Sequence, residues 1–272
     1  MPNNKHAVIL ALYNLCKQNN NFIFDNELVK DICKQKGFGN PFDITKLDNQ
    51  SKLPQLLIDN DTAIIHLGSG KHKFIKGINK IYHHFEPIQQ TIDWQYQKSI
   101  LNHFNSSESN LLSVANNQRI LHHFVFGQDN EFNSMEIIKR PKTYFPHRTK
   151  TNFEYYFDNH PLSLNNIQIE VDLTIEFNGT VAVFEGKNGK PDNFSIYQIY
   201  HSFLYYYNAS QNTELRGKIK NIVACYVVRQ LNTIKCYLYS WENPLEITSI
   251  QLLKSIQYNL IENKQANLLQ NG

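Results

Sequence analysis

An alternation of apolar and polar side chains constrains the fold of this chain more than any other feature. From Ile167 to Phe177 every odd position is apolar and every even position is polar. A period of two predicts a β-strand with one buried face. The dipeptide Asn178-Gly179 follows and favours a two-residue type I′ turn, because both residues tolerate positive φ. The stretch from Thr180 to Lys187 is then predicted to return as the second strand of a hairpin.

The turn also sets which side chains meet across this hairpin. A two-residue turn places Asp172 opposite Glu185 and Glu170 opposite Lys187. Opposed side chains have Cβ atoms about 4.5–5.5 Å apart, so two carboxylates there repel each other unless a cation lies between them. Hard oxygen ligands suit Mg²⁺, which typically needs only one or two carboxylates plus a substrate phosphate. Lys187 is then placed to orient the attacking water and to stabilise charge on a phosphate.

Two observations qualify this interpretation. The same register puts Val181 and Val183 on the face of the polar residues Thr174 and Glu176, which predicts a bulge or a second layer covering the turn end. The alternative interpretation of the carboxylates is a solvated hairpin face, on which Glu170 and Lys187 form a weak surface ion pair.

The residues of this hairpin resemble the motif of the PD-(D/E)XK nucleases, with Asp172 on one strand and Glu185-Gly186-Lys187 on the next. The wider stretches 168–172, 185–188 and 192–198 are similar to a group of bacterial type II restriction endonucleases with an N-terminal winged helix. The resemblance covers about residues 140–210, and Val171 stands where the name of the motif has proline. It implies that Asp172 and Glu185 hold the metal, that Lys187 is the catalytic lysine and that Glu170 is an auxiliary acid.

The helix predicted after this hairpin adds one more candidate. It is expected to open after Pro191, with Asp192 or Ser195 as its cap and an apolar stripe that includes Ile199. Gln198 falls off that stripe. In several branches of the family a Gln on this helix faces the active site, which implies that Gln198 positions the water or a ligand. The alternative is a solvent-facing helical Gln.

The N-terminal third predicts three helices followed by a hairpin. The helices are expected at residues 6–18, from Asp25 to Gly37 and at about 43–59, and the hairpin strands at 62–67 and 71–76. This order is the winged-helix pattern, in which Lys71 and Lys73 of the hairpin contact DNA phosphates. The alternative is a helical cap or dimerisation module.

Composition and the remaining elements complete the fold prediction. With 272 residues, 41% of them hydrophobic, the chain is long enough for two domains, which we place at 1–90 and 91–272. The second domain is expected to be a restriction-endonuclease-like α/β core with a central mixed sheet flanked by helices. Its further helices are predicted at 94–104, 111–124 and 247–260, and its further strands at 222–228 and 234–239.

Charge and cysteine content bear on partners and location. The net charge is +3, and residues 1–90 hold 11 Lys and Arg against 8 Asp and Glu, which is a mild indication of a polyanionic partner. Arg148 and Lys150, with the basic segment 139–142, are expected to hold phosphates of the scissile strand. The four cysteines form no Cys-x-x-Cys pair and are expected to be buried and reduced. No apolar run is long enough for a membrane span, so a cytoplasmic location without membrane contact is expected.

Together with this hairpin, the resemblance implies a Mg²⁺-dependent type II restriction endonuclease that hydrolyses phosphodiester bonds at a specific double-stranded DNA sequence. A homodimer is expected because protein symmetry then matches a palindromic site, and a cognate DNA methyltransferase acting on the same site is an expected partner. Two alternatives stay open. One is another nuclease of the family, acting in repair, on junctions or on methylated DNA, and the other is a catalytically inactive winged-helix DNA-binding regulator.

Overall fold

The computed structural model describes residues 4–97, 107–127 and 134–262, which form a mixed α/β fold. The helices are α1 Asn4–Gln18, α2 Asn26–Lys36, α3 Gln55–Asp59, α4 Ile78–Ile81, α5 Glu108–Asn117, α6 Ile120–Phe126 and α7 Tyr197–Ser210. The strands are β1 Ile23–Asp25, β2 Thr62–Gly68, β3 Lys71–Lys76, β4 Tyr82–His84, β5 Gln90–Tyr96, β6 Lys142–Tyr144, β7 His147–Phe157, β8 His160–Val171, β9 Leu173–Phe177, β10 Thr180–Asn188, β11 Asn193–Ser195, β12 Asn221–Gln230, β13 Thr233–Trp241 and β14 Ile250–Glu262. The predicted α/β class is confirmed.

Two large sheets organise these strands. The first has the order β1-β3-β2-β8-β7, and the second has the order β5-β14-β13-β12-β10-β9-β6. In the second sheet β10 and β12 run parallel, as do β14 and β5, whereas the other pairs are antiparallel. A small ladder joins β11 to β4. The predicted central mixed sheet is therefore the seven-stranded one.

Apolar layers cover both faces of the seven-stranded sheet. On one face Val181 and Val183 pack in a core that includes the buried side of α7. On the other face Ala182 and Phe184 pack against α5 and α6. A strand covered on both faces has a continuous run of apolar residues rather than an alternation of apolar and polar ones. This second layer, not a bulge, accounts for the valines that the one-sided hairpin prediction could not place.

The N-terminal helices follow the sequence signals except in one region. Asp25 caps α2 by accepting a hydrogen bond from the backbone N–H of Leu28 at 2.9 Å, and Gly37 ends the helix with φ of 66°. The helix predicted over 43–59 is wrong. That region holds two short 3-10 turns and only the five-residue α3, because Pro54 follows Leu53 and forces it into an extended conformation. The winged-helix arrangement stays a prediction.

Two predicted helices are strands. The region from Trp94 forms the end of β5, while residues 98–104 lie outside the described residues. Residues 250–262 form β14, in which Ile256, Tyr258 and Leu260 are buried at a spacing of two. That alternation is the strand period, and the helix prediction overlooked it. The helix predicted over 111–124 exists as α5 and α6, which are separated at Arg119 by a left-handed φ of 62°.

The helix after the hairpin starts later than predicted. Residues 193–195 form β11, and the backbone N–H groups of Ser195 and Ile196 donate to the carbonyls of Asp48 and Ile81 at 2.7 and 2.9 Å. The N-cap position of α7 is Ile196, so neither Asp192 nor Ser195 caps the helix. The helix begins after Ile196 without a side-chain cap.

The two predicted domains pack on one another. Strand β2 contacts β8 at the pair Gly68 and Asn165, and one apolar core contains residues from both sides of position 90. The boundary near residue 90 stays a prediction. The four cysteines are free and buried, as predicted. Within the described ranges, no helix combines the length and the apolar content needed to cross a membrane.

Candidate active site

Asp172 lies where the chain passes from one large sheet to the other. It separates β8, which pairs with β7, from β9, which pairs with β10. The predicted alternation holds on both sides of it, since Ile169, Val171 and Leu173 are buried. The single strand predicted over 167–177 is therefore two strands that meet at an acidic residue. The Oδ2 atom of Asp172 accepts a hydrogen bond from the backbone N–H of Gly186 at 3.3 Å.

The β9–β10 hairpin has the register that the turn predicts. Phe177 pairs with Thr180, and the turn residues Asn178 and Gly179 have φ of 51° and 81°. The ladder ends at Leu173 with Phe184, so Asp172 and Glu185 come one step beyond it. They remain neighbours, because Asp172 bonds to the residue that follows Glu185.

The predicted pairing of Glu170 with Lys187 is wrong. Glu170 belongs to β8 and pairs with Arg148 on β7, and their side chains form an ion pair at 3.1 Å. The reason is the change of sheet at Asp172, which ends the hairpin register before it reaches Glu170. Glu170 nevertheless lines the same cavity as the other acids.

Gln198 in the first turn of α7 contacts the acid on β10. Its Nε2 atom donates to Oε1 of Glu185 at 3.0 Å, and its Oε1 atom accepts from the hydroxyl of Tyr226 at 3.3 Å. Tyr226 lies on β12 directly beside Glu185 in the parallel ladder. These two bonds fix the orientation of the amide and of the Glu185 carboxylate. The structure therefore does not place Gln198 on a solvent-facing side of the helix.

Lys187 lies between two further acids that the sequence analysis missed. Its Nζ atom is 2.9 Å from Oε1 of Glu108 and 3.6 Å from Oδ2 of Asp48. Asp48 also forms an ion pair with Lys52. Glu108 opens α5 directly after the cap Ser107, so a search for helix starts with acidic first turns could have found it. Asp48 carries no such signal, because it comes from a loop more than one hundred residues away in sequence.

These side chains border one cavity of about 650 Å³ between the loop at 43–48 and the end of the seven-stranded sheet. Its polar lining includes Asp48, Glu108, Glu170, Asp172, Glu185, Lys187 and Gln198. All five residues predicted for catalysis therefore lie on one cavity wall or its rim. The alternative of a surface ion pair with Lys187 on a solvated hairpin face does not describe this group of charged side chains around one cavity.

Electrostatics in the cavity favour a bound cation. Burial, and then the neighbouring Asp172, raise the pKa of Glu185 well above its ordinary value. Burial also raises the pKa of Asp172. Two adjacent carboxylates that resist ionisation together are relieved by a cation between them. For Lys187, burial opposes ionisation, but Glu108, Asp48 and Glu185 outweigh it and raise the pKa of the ammonium.

The donor chemistry fits Mg²⁺. Asp172 and Glu185 offer carboxylate oxygens, which are the hard ligands that Mg²⁺ prefers. Within the part of the chain that the structure describes, no three His, Cys, Asp or Glu side chains stand grouped as a ready metal cage. Mg²⁺ does not demand such a cage, since it usually keeps several waters and takes substrate phosphate oxygens as ligands.

The predicted DNA-binding residues fall into two groups. Arg148 and Lys150 lie exposed on β7, opposite Glu170 and Gln168, so they border the strand that carries the acids. Lys71 and Lys73 lie on β3 of the same sheet, two strands away from β8, and do not line the cavity. The structure therefore brings Arg148 and Lys150 close to the candidate active site and leaves Lys71 and Lys73 apart from it.

Comparison with known proteins gives two family matches. A model described as Domain of unknown function (DUF6997) matches residues 77–259, and one described as Domain of unknown function (DUF6996) matches residues 7–74. No curated protein and no solved structure matches the chain. Asp48 lies in the region 7–74, whereas Glu108, Asp172, Glu185 and Lys187 lie in the region 77–259. The cavity therefore lies between the two regions.

Proposed function

The chain belongs to the DUF6997 family, and we propose that it is a Mg²⁺-dependent endonuclease of double-stranded DNA, of the type II restriction class. The observation that carries the proposal is the cavity in which Asp172, Glu185 and Lys187 meet. Two adjacent acids followed by a lysine form the set that phosphodiester hydrolysis needs: a metal site beside a fixed positive charge.

Each side chain has a defined task in this proposal. Asp172 and Glu185 hold Mg²⁺, which supplies positive charge to a phosphate and eases deprotonation of an attacking water. Lys187 stabilises the negative charge that builds on the phosphate oxygens, and the acids around it keep it protonated. Gln198 holds the Glu185 carboxylate in place through its hydrogen bond at 3.0 Å. Glu170 as an auxiliary acid stays a prediction, since its carboxylate pairs with Arg148.

Duplex DNA as the substrate rests on the cations beside the acids. Arg148 and Lys150 on β7 are exposed and pair with Glu170 and Gln168 of the cavity lining, so they can exchange weak contacts for phosphates. Lys71 and Lys73 would contact a more distant part of the duplex if the N-terminal region binds DNA as a winged helix. A homodimer on a palindromic site and a cognate methyltransferase belong to the same proposal.

The experiment is cleavage of unmethylated phage DNA by the purified protein, with Mg²⁺ or with EDTA, read on a gel. Asp172→Ala and Lys187→Ala are run beside the wild type. Lys190→Ala, three residues beyond Lys187 and outside the cavity lining, is the matched control. Discrete Mg²⁺-dependent bands that the two site variants abolish and the control keeps are expected.

Other outcomes each decide a part of the proposal. A Mg²⁺-dependent smear would keep the active site and overturn the restriction class. Cutting of methylated phage DNA alone would indicate the methylation-dependent alternative. Intact DNA in every lane, with DNA binding retained, would favour the inactive regulator.

A further inference from the structure

The segment that precedes and includes the start of β7 combines exposed apolar side chains with positive charge. Phe145 is 81% exposed and Tyr144 49% exposed, while Ile137 and Ile138 are 80% and 78% exposed. Large apolar groups that gather on one exposed segment mark an interaction surface. Between positions 137 and 153 the chain has five Lys or Arg residues and no Asp or Glu. Lys139, Lys142 and Arg148 form exposed ion pairs with acids outside this segment. A polyanion can replace such weak pairs, so the segment is complementary in charge to a polyanion.

The backbone at Phe145 passes close to the backbone of Asp172 in the candidate active site. Strand β6 pairs with β9 up to Tyr144 opposite Thr174, and β7 pairs with β8 from His147 opposite Val171. The register is the same on both sides of the interruption. It places Phe145 and Pro146 across from Leu173 and Asp172, about one strand spacing of ~5 Å from that backbone.

The backbone presents Phe145 rigidly. It precedes Pro146, and a residue before proline is confined to extended conformations. Paired strands hold the chain immediately before and after the two residues. A backbone constrained in this way loses little conformational entropy when the Phe145 side chain binds.

We propose that Phe145 is a wedge that inserts between bases of duplex DNA next to the scissile phosphate. Apolar side chains flanked by cations insert at base steps, unstack them and bend the duplex. Arg148 and Lys150, on the strand that follows Phe145, hold the phosphates of the opened step. The inference rests on the proposed DNA cleavage for its substrate, and its test is independent of cleavage.

The test measures DNA unwinding by bound protein. A closed circular plasmid is saturated with protein in Ca²⁺ instead of Mg²⁺, relaxed with a type IB topoisomerase, which needs no Mg²⁺, and analysed for its topoisomers. Occupancy is matched by fluorescence anisotropy with a mixed-sequence 30-base-pair duplex. Phe145→Ala removes the wedge and Phe145→Trp retains it. Leu231→Ala, at a residue that is 86% exposed on the β12–β13 turn, is the matched control.

The wild type, Phe145→Trp and Leu231→Ala are expected to shift the topoisomer distribution. Phe145→Ala is expected to lose more than half of that shift at equal occupancy. Its urea unfolding midpoint should match the wild type, because an exposed side chain adds little to stability.

An equal shift with Phe145→Ala, or no shift with saturating wild type, would overturn the wedge. So would a change only in the oligomeric state of Phe145→Ala, or in its binding to anionic vesicles, because the surface would then serve another partner. Mg²⁺-dependent cutting without a shift would leave the proposed nuclease and remove the wedge. A Phe145-dependent shift without cutting would support the wedge and remove the proposed nuclease.

Discussion

Gly186, between Glu185 and Lys187 of the proposed active site, offers the sharpest structural test. A Cβ atom built on Gly186 would lie 3.0 Å from Cγ of Leu112 and 3.3 Å from the backbone oxygen of Glu108, both on α5. The φ of Gly186 is not in the left-handed region. Only the lack of space therefore opposes a side chain here, and the missing Cβ is what lets α5 approach β10.

The magnitude for Gly186→Ala follows from two opposing effects. Alanine in a strand gains about 0.5–1 kcal/mol over glycine, and overpacking of a filled core costs about 1–3 kcal/mol. The net expected loss is about 1–2 kcal/mol in the free energy of unfolding. For a chain of this length that corresponds to a fall in Tm of about 2–4 °C. Cleavage should slow about ten-fold, because α5 carries Glu108, which contacts Lys187 at 2.9 Å.

The assay is a double-mutant cycle by urea unfolding at pH 7.5. Leu112→Ala removes the atoms that the new methyl group meets and is expected to cost about 2–5 kcal/mol by itself. In the Leu112→Ala background, Gly186→Ala should leave the free energy of unfolding unchanged or raise it. The coupling free energy between the two positions is then about 2 kcal/mol. If Gly186→Ala stabilises the otherwise wild-type protein, α5 does not pack against this strand as described.

Three further predictions follow. Gln198→Leu removes the hydrogen bond that orients the metal-site carboxylate, so the cleavage rate should fall about 10- to 100-fold. Burial lowers the pKa of His201 to about 3 and that of His122 to about 4, below the ~6.5 of an unfolded histidine. As the pH falls, these histidines therefore bind protons in the unfolded chain before they do so in the folded protein. The unfolding free energy should be nearly constant above pH 6.5 and should fall by about 2 kcal/mol for each histidine between pH 6.5 and pH 5. Finally, 10 mM Mg²⁺ should raise the Tm of the wild type by about 2–3 °C if the Kd is near 1 mM, and Asp172→Asn should lose this increase.

Each of these has its own control. Gln211→Leu, at the exposed end of α7, should cut DNA at the wild-type rate, and equal loss in both variants would contradict the role of Gln198. His84→Asn, at an exposed histidine, should keep the pH dependence of the unfolding free energy, whereas His201→Asn should reduce the fall toward pH 5 by about 2 kcal/mol. An equal Mg²⁺ shift in Asp172→Asn and the wild type would place the metal elsewhere.

The local part of this site could be predicted from the sequence. The period of two and the Asn178-Gly179 turn are local signals, and they fixed the hairpin register up to Phe184. The sequence alone does not decide whether Gln198 faces solvent or the active site. Its hydrogen bonds to Glu185 and Tyr226 join three elements that are far apart in sequence. Such contacts depend on how helices pack on the sheet, which a single sequence does not encode locally.

The errors share a physical cause in long-range pairing. The change of sheet at Asp172 moved Glu170 to a different partner, because β8 has β7 available as a neighbour. The sequence predicts a helix where β14 pairs with both β13 and β5. The alternation of apolar and polar residues in β14 is clear only from Ile256 onward. Asp48 and Glu108 reach Lys187 from separate segments. No spacing rule within one segment predicts such a meeting.

The most direct measurement of the central claim is the single-turnover rate of DNA cleavage in Mg²⁺ by Glu185→Gln compared with Glu176→Gln. Both changes replace a carboxylate by an amide in the same hairpin, but Glu176 faces Val181 at the far end and pairs with Lys142. We expect Glu185→Gln to lower the rate at least about 1000-fold, since it removes one of two metal-site carboxylates. Glu176→Gln should stay within about three-fold of the wild type. Similar rates for the two variants would contradict an active site built on Asp172, Glu185 and Lys187.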